Sequence, residues 1–225
     1  MSVTSVIETA RAELGVTEYP PGSNRVKYWE DYDPKMQGQP WCVVFLWWAF
    51  THAGEGRAFF AGAKTASCGT LFRWYQAQGL TVPVPEVKAG DIVLMNFHGG
   101  SAPEHCGLAV EVGLKNGVYT VNTVEGNTSP GFEGSQDNGG CVAEKARYIR
   151  QIVGVCRPQY TEEVEPVDDI KGHWAEKEIR RCIQRGIIKG YPDGMFAPDH
   201  PITRAEVAVV VDRLVQLLVE EGNAG

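Results

Sequence analysis

A chain of 225 residues, 43% of them hydrophobic, has room for one large domain or for a medium domain with a small appendage, and no segment is of low complexity. Its formal net charge of −7 is not broken by any basic stripe, so a nucleic-acid partner is not expected. No run reaches the roughly 20 apolar residues of a membrane span.

The N-terminal segment MSVTSVIETARAELGV predicts an amphipathic helix over residues 3–14. It has acids where a secretion signal would carry a basic start and a long apolar core. The expectation is export by a route other than a signal peptide. Further along, QPWCVVFLWWAF (39–50) opens a helix predicted for 42–53 and stopped by Gly54. Pro40 suits a first helical turn, which places Cys42 in that turn, where free N–H groups and the helix dipole favour a thiolate. The rest of the helix is apolar on nearly every face, as in a central helix wrapped by a sheet. A helix over 66–78, stopped by Gly79, comes next.

Strand patterns then follow at 91–97, 106–113, 118–124 and 152–156, joined by short turns such as Lys115-Asn116-Gly117. Helices first and strands afterwards predict an α+β fold with an antiparallel sheet. The six cysteines (42, 68, 106, 141, 156 and 182) form no CxxC pair, so a disulfide scaffold is not expected. Five of them read as small buried hydrophobes; Cys42 alone has a context that argues for reactivity.

A nucleophilic thiol needs an imidazole to ionise it and a third group to orient that imidazole. His105, at the entry of HCGLAVEV (105–112), is the preferred imidazole, because a loop-to-strand junction combines rigid placement with access. His52 lies ten residues along the helix of Cys42, about 15 Å away at the helical rise. His98, in the loop FHGGSAPEH, reads as a substrate contact or a solvent-facing residue. Glu125 and Asn127, at the end of the 118–124 strand, are candidate third groups. Each residue also has a plain structural reading: Cys42 as a buried cysteine beside Trp41, His105 as an exposed strand-end histidine, and Glu-Gly-Asn-Thr as a turn.

After residue 157 the texture changes. PQYTEEVEPVDD (158–169) has two prolines, a run of carboxylates and no apolar period, which reads as a linker. Residues 158–225 carry a net −5 against −2 for the first 157. Helices are predicted at 173–185 and 203–219 around a Gly-rich loop, too little to bury much alone. Thr203-Arg204-Ala205-Glu206 reads as a capping box, which leaves Arg204 unexplained by capping.

WCVVFLWW (41–48), VKAGDIVLMNF (87–97), EHCGLAVEVG (104–113) and VEGNT (124–128) together resemble the CHAP domain, a cysteine- and histidine-dependent amidohydrolase/peptidase related to papain-like and NlpC-type hydrolases. The resemblance covers residues 1–157 and implies a papain-like fold. It makes Cys42 the nucleophile, His105 the general base and Glu125 the orienting group, with Asn127 as a further polar member. Gln37 or Gln39 would help an oxyanion hole by analogy, with a backbone N–H at Cys42 as an equal donor. Some CHAP lysins bind calcium ahead of the cysteine, but EDYDPKMQGQP (30–40) has lost the alternating ligands, so no metal or cofactor is expected. Zinc lacks HExxH or paired spacing.

DDIKGHWAEKEI (168–179), GIIKGYPDGMFAPDHPITRAE (186–206) and VAVVVDRLVQLL (207–218) resemble one S-layer homology (SLH) module over 168–219, before a short tail at 220–225. That resemblance implies binding of secondary cell-wall polysaccharide through Arg204, with Trp174, Gly190 and Asp193 beside it. Such modules usually come in threes, so a single copy either binds weakly or is completed by assembly of several chains; a homo-oligomer, a trimer, is the expectation. The whole reads as an endolysin-like peptidoglycan hydrolase held in the cytoplasm until holin-dependent release. A bacterial autolysin, an inactive wall-binding scaffold, and an enzyme of the same fold acting on another amide are the alternatives.

Overall fold

A helix with almost no polar face must be enclosed on all sides, and the fold is arranged around one. The computed structural model describes residues 3–115, 118–131, 139–160, 168–191 and 195–222. The chain divides into two compact units, Met1–Thr161 and Glu162–Gly225.

In the first unit, α1 (Val3–Arg11), α2 (Tyr28–Tyr32), α3 (Cys42–His52) and α4 (Cys68–Ala77) precede the sheet. The strands are β1 (Thr81–Val82), β2 (Ile92–Met95), β3 (His105–Lys115), β4 (Val118–Thr128), β5 (Cys141–Tyr148) and β6 (Ile152–Cys156). They form a single sheet in the order β1-β6-β2-β3-β4-β5, and every neighbouring pair is antiparallel. The α+β expectation for this part holds. Two strands, β1 and β5, and the short α2 carry too little alternation to be read beforehand. The expected turn at Lys115-Asn116-Gly117 has Asn116 and Gly117 outside the described residues.

The period of two in the strands sorts the side chains into two layers. Ile92, Leu94, Cys106, Leu108 and Val124 join Val43, Val44, Phe45, Leu46 and Phe50 of α3 in the larger core. Val93, Met95, Ala109, Val121 and Val155 form a smaller core on the other face. Two close approaches bring α3 and α4 onto the sheet. A Cβ on Gly126 would lie 2.5 Å from Phe45 Cβ and 2.7 Å from Trp41 Cζ3, so only glycine fits there. A Cβ on Gly154 would meet the Phe72 ring of α4 at 2.5 Å.

Two readings need correction. Pro40 is not in the first helical turn: Trp41 is the N-cap and Cys42 the first residue of α3. Glu125-Gly-Asn-Thr is not a turn either. β4 runs on to Thr128 with a bulge between Glu125 and Thr128, where Asn127 takes φ +54°. The bulge lets the strand continue past the point where Gly126 touches α3.

The second unit has a one-turn 3-10 helix (Asp168–Ile170), α5 (Glu176–Gln184) and α6 (Arg204–Gly222). Its core is small: Ile170 and Ile183, with Ile179, Ile188 and Phe196 against them. The capping box is present, Thr203 Oγ1 accepting from the Glu206 N–H at 3.2 Å and Glu206 Oε2 from the Thr203 N–H at 2.7 Å. Asp169 ties the unit together by accepting from the N–H groups of Phe196 and Ala197. No helix among the described residues is long and apolar enough to cross a membrane.

Candidate active site

Three elements deliver the site. Cys42 opens α3, His105 opens β3, and Glu125 sits where β4 begins its bulge. The register sets Gly107 of β3 opposite Glu125, one pair beyond Leu108–Val124. A Cβ on Gly107 would stand 2.6 Å from Glu125 Cγ, so glycine is needed there to leave room for the carboxylate.

His105 Nε2 lies 2.9 Å from Glu125 Oε2, and the same imidazole interacts with the Cys42 thiol. All three residues are buried, at 5%, 3% and 0% exposure for Cys42, His105 and Glu125. The structure therefore brings together the three residues expected to act together. Asn127 is also buried, two residues past Glu125 in the bulge.

Glu125 is more heavily bound than the sequence suggested. Its Oε1 accepts from Arg147 Nε at 2.7 Å and from Thr123 Oγ1 at 2.5 Å, and its Oε2 accepts from Arg147 Nη2. Arg147 comes from β5, the strand that could not be read, and its guanidinium also lies 4.8 Å over the Phe97 ring. Burial alone would raise the Glu125 pKa, but the bonds from Arg147 and then His105 bring it down to about 2. Burial likewise opposes charge on His105, yet its bonds to Cys42 and Glu125 lift it to about 9.

Cys42 is held well below the ordinary thiol range. The hydrogen bonds of Cys106 and then Cys68 contribute most and outweigh burial, and His105 adds to them. Cys68 Sγ is 3.8 Å away. The remaining buried thiols behave oppositely: burial raises Cys141 and pushes Cys156 up to about 12. Trp41 offers α3 no side-chain cap, so the N–H groups of the first turn are available to a sulfur or an oxyanion. Trp41 is itself fixed by its indole N–H donating to Glu18 Oε1 at 3.0 Å.

The shifts of Cys42 downward and His105 upward favour a thiolate beside an imidazolium, with a carboxylate behind it, which is the kind of arrangement nucleophilic acyl transfer uses. Gln37 does not join it: its side chain clamps the Val26 backbone, accepting from the N–H at 3.1 Å and donating to the carbonyl at 3.0 Å. Gln39 is exposed, and its carbonyl accepts from the Trp29 indole. His52 stacks on Trp48, and His98 pairs with Glu104 at 2.9 Å. Neither is bonded to Cys42.

In the second unit a groove of about 530 Å³ is lined by Lys189, Gly190, Tyr191, His200, Glu206 and Arg213, among others. Of the expected polymer contacts, Gly190 is at this groove, with its Cα packed so that a Cβ would meet Met195 O at 2.8 Å. Arg204 and Trp174 are exposed, Trp174 at 87%, and lie outside the groove lining. Asp193 lies outside the described residues. Lys189 and His200, in the Gly/Pro-rich loop, and Arg213, on α6, were not singled out from the sequence; their basic side-chain type was the available signal.

Comparison with known proteins places an S-layer homology domain at residues 168–208. The chain is 41% identical over 58 residues to the cellulosome-anchoring protein of Acetivibrio thermocellus, covering 26% of this chain and 13% of that one. It is 42% identical over 50 residues to S-layer protein EA1 of Bacillus anthracis, covering 22% and 6%. Cell surface glycoprotein 1 of Acetivibrio thermocellus matches at 40% over 70 residues, covering 31% and 3%. The chain thus spans only a small part of the relatives it matches.

Proposed function

We propose that the chain is a cell-wall hydrolase of CHAP type: a cysteine-dependent peptidoglycan amidase or endopeptidase with an SLH tail that holds it at the wall. The observation that carries the reading is the buried line Cys42–His105–Glu125, in which the carboxylate is fixed by Arg147 and the thiol pKa is held down by its neighbours. In this mechanism the Cys42 thiolate adds to an amide carbonyl, and the first-turn N–H groups of α3 receive the oxyanion. His105 gives its proton to the departing amine, leaving a thioester on Cys42. It then takes a proton from water as that water attacks, which releases the acid and restores the thiol pair. Glu125 keeps the imidazole oriented throughout.

The tail supports the wall as the place of action, since the relatives it matches are an S-layer protein and a cellulosome-anchoring protein. A groove carrying Lys189, His200 and Arg213 suits an anionic wall polysaccharide, with Arg204 as an exposed outer contact.

The test is digestion of purified Gram-positive peptidoglycan by the wild type and by Cys42→Ala, with the new termini read by mass spectrometry. Fragments formed by the wild type alone support the hydrolase, and their ends distinguish amidase from endopeptidase. A second reading, a wall-binding protein whose hydrolase-like unit is silent, is favoured by the 5% exposure of Cys42. Wall binding without any wild-type cleavage would support it.

A further inference from the structure

Beyond lowering the pKa of the nucleophile, Cys68 and Cys106 form with Cys42 a cluster of three thiols. The three Sγ atoms lie within 4.8 Å of one another, and all three residues are buried. They come from three elements: the first residue of α3, the first residue of α4 and the second residue of β3. Two helices of eleven and ten residues therefore begin at sulfurs of the same cluster, so their positive ends favour negative charge there.

The spacing is also suggestive. Zinc–thiolate bonds of about 2.3 Å make the sulfur–sulfur edge of a tetrahedral site about 3.8 Å, and Cys42 and Cys68 are 3.8 Å apart. An all-sulfur donor set selects soft ions over calcium or magnesium. No short sequence spacing reveals the group, because its members are 26 and 38 residues apart along the chain.

We propose that Cys42, Cys68 and Cys106 form a trithiolate site for a soft divalent ion of the zinc class, and that loading it silences the nucleophile. On binding, each thiol still protonated releases its proton to solvent, three metal–sulfur bonds form, and an exogenous ligand such as water takes the fourth position. No electron is transferred, and removal of the ion restores the thiols. The site stands independently of the hydrolase reading, because binding is measured without a substrate.

The experiment uses the full chain, reduced and stripped of metal. It is titrated with Zn2+ and, separately, with Co2+. The expected results are one Zn2+ per chain by elemental analysis, sulfur-to-cobalt charge-transfer absorption in the near ultraviolet of a strength matching three thiolates, and protection of Cys42 from alkylation. Cys68→Ser and Cys106→Ser are each expected to weaken binding on the order of ten-fold or more, whereas Cys182→Ser, in the other unit, is expected to leave it unchanged. Absence of stoichiometric Zn2+, a cobalt spectrum without sulfur charge transfer, or undiminished binding in both serine variants would overturn the proposal. The wild-type cobalt spectrum decides even where a variant fails to fold.

Discussion

Glu125 is a fully buried carboxylate with three side chains bonded to it. A fully buried carboxylate survives there because Arg147 grips both its oxygens while His105 and Thr123 take the remaining lone pairs. Arg147→Met strands that charge, and a loss of about 3–5 kcal/mol is expected by urea denaturation, together with slower hydrolysis as His105 loses its brace. The pH dependence follows from the same groups. Glu125, lowered to about 2, contributes stability that is present above its unfolded value of 4.5 and is lost as pH falls toward 2. His105, raised from 6.5 to about 9, contributes stability that is full below 6.5 and is lost as pH rises through 9. Hydrolysis is expected to fall away above about pH 9, when His105 no longer holds a proton for the leaving amine. Alkylation by substoichiometric iodoacetamide is expected to label Cys42 ahead of Cys141 and Cys156, with a midpoint below the ordinary thiol range. Equal, slow labelling of all three would remove the activated thiol from the argument.

At the level of elements, the site depends on how closely α3 approaches β4. Gly126→Ala would drive a methyl into Phe45 and Trp41, and a destabilisation of about 1–3 kcal/mol is expected by thermal or urea unfolding. Cys42 is displaced in the same event, so activity should fall with stability. Much of this frame was legible beforehand. The apolar run after Cys42 read correctly as a central helix, and His105 and Glu125 were placed on adjacent strands by their apolar alternation. Arg147 was not, because Glu144, Lys145 and Arg147 in CVAEKARY break any apolar alternation and read as solvent-facing, and only the tertiary structure shows that Lys145 and Arg147 are buried. Cys68 and Cys106 were read as buried hydrophobes. They are buried, but periodicity carries no information about which sulfurs meet. The bulge after Glu125 was taken for a turn, since Gly-Asn serves both with the same residues.

On the scale of the whole molecule, the second unit has the thinner core, and it leaves apolar side chains of α6 such as Val207, Val211, Leu214, Val215 and Leu218 exposed. Self-association through this helix is the expected way of covering them. Light scattering should then give a mass that is a multiple of 24.7 kDa, three-fold if the tails complete one another's grooves. A monomer at micromolar concentration would remove the idea. Each unit nonetheless buries residues of its own, and the relatives share the second one within far longer chains, of which the match covers as little as 3%. The chain thus joins a unit that matches the S-layer homology domain to another unit with a core of its own. Recombination at the acidic joint between them can give the same chemistry a new address, and lineages are expected to differ in their tails sooner than in the residues around Cys42.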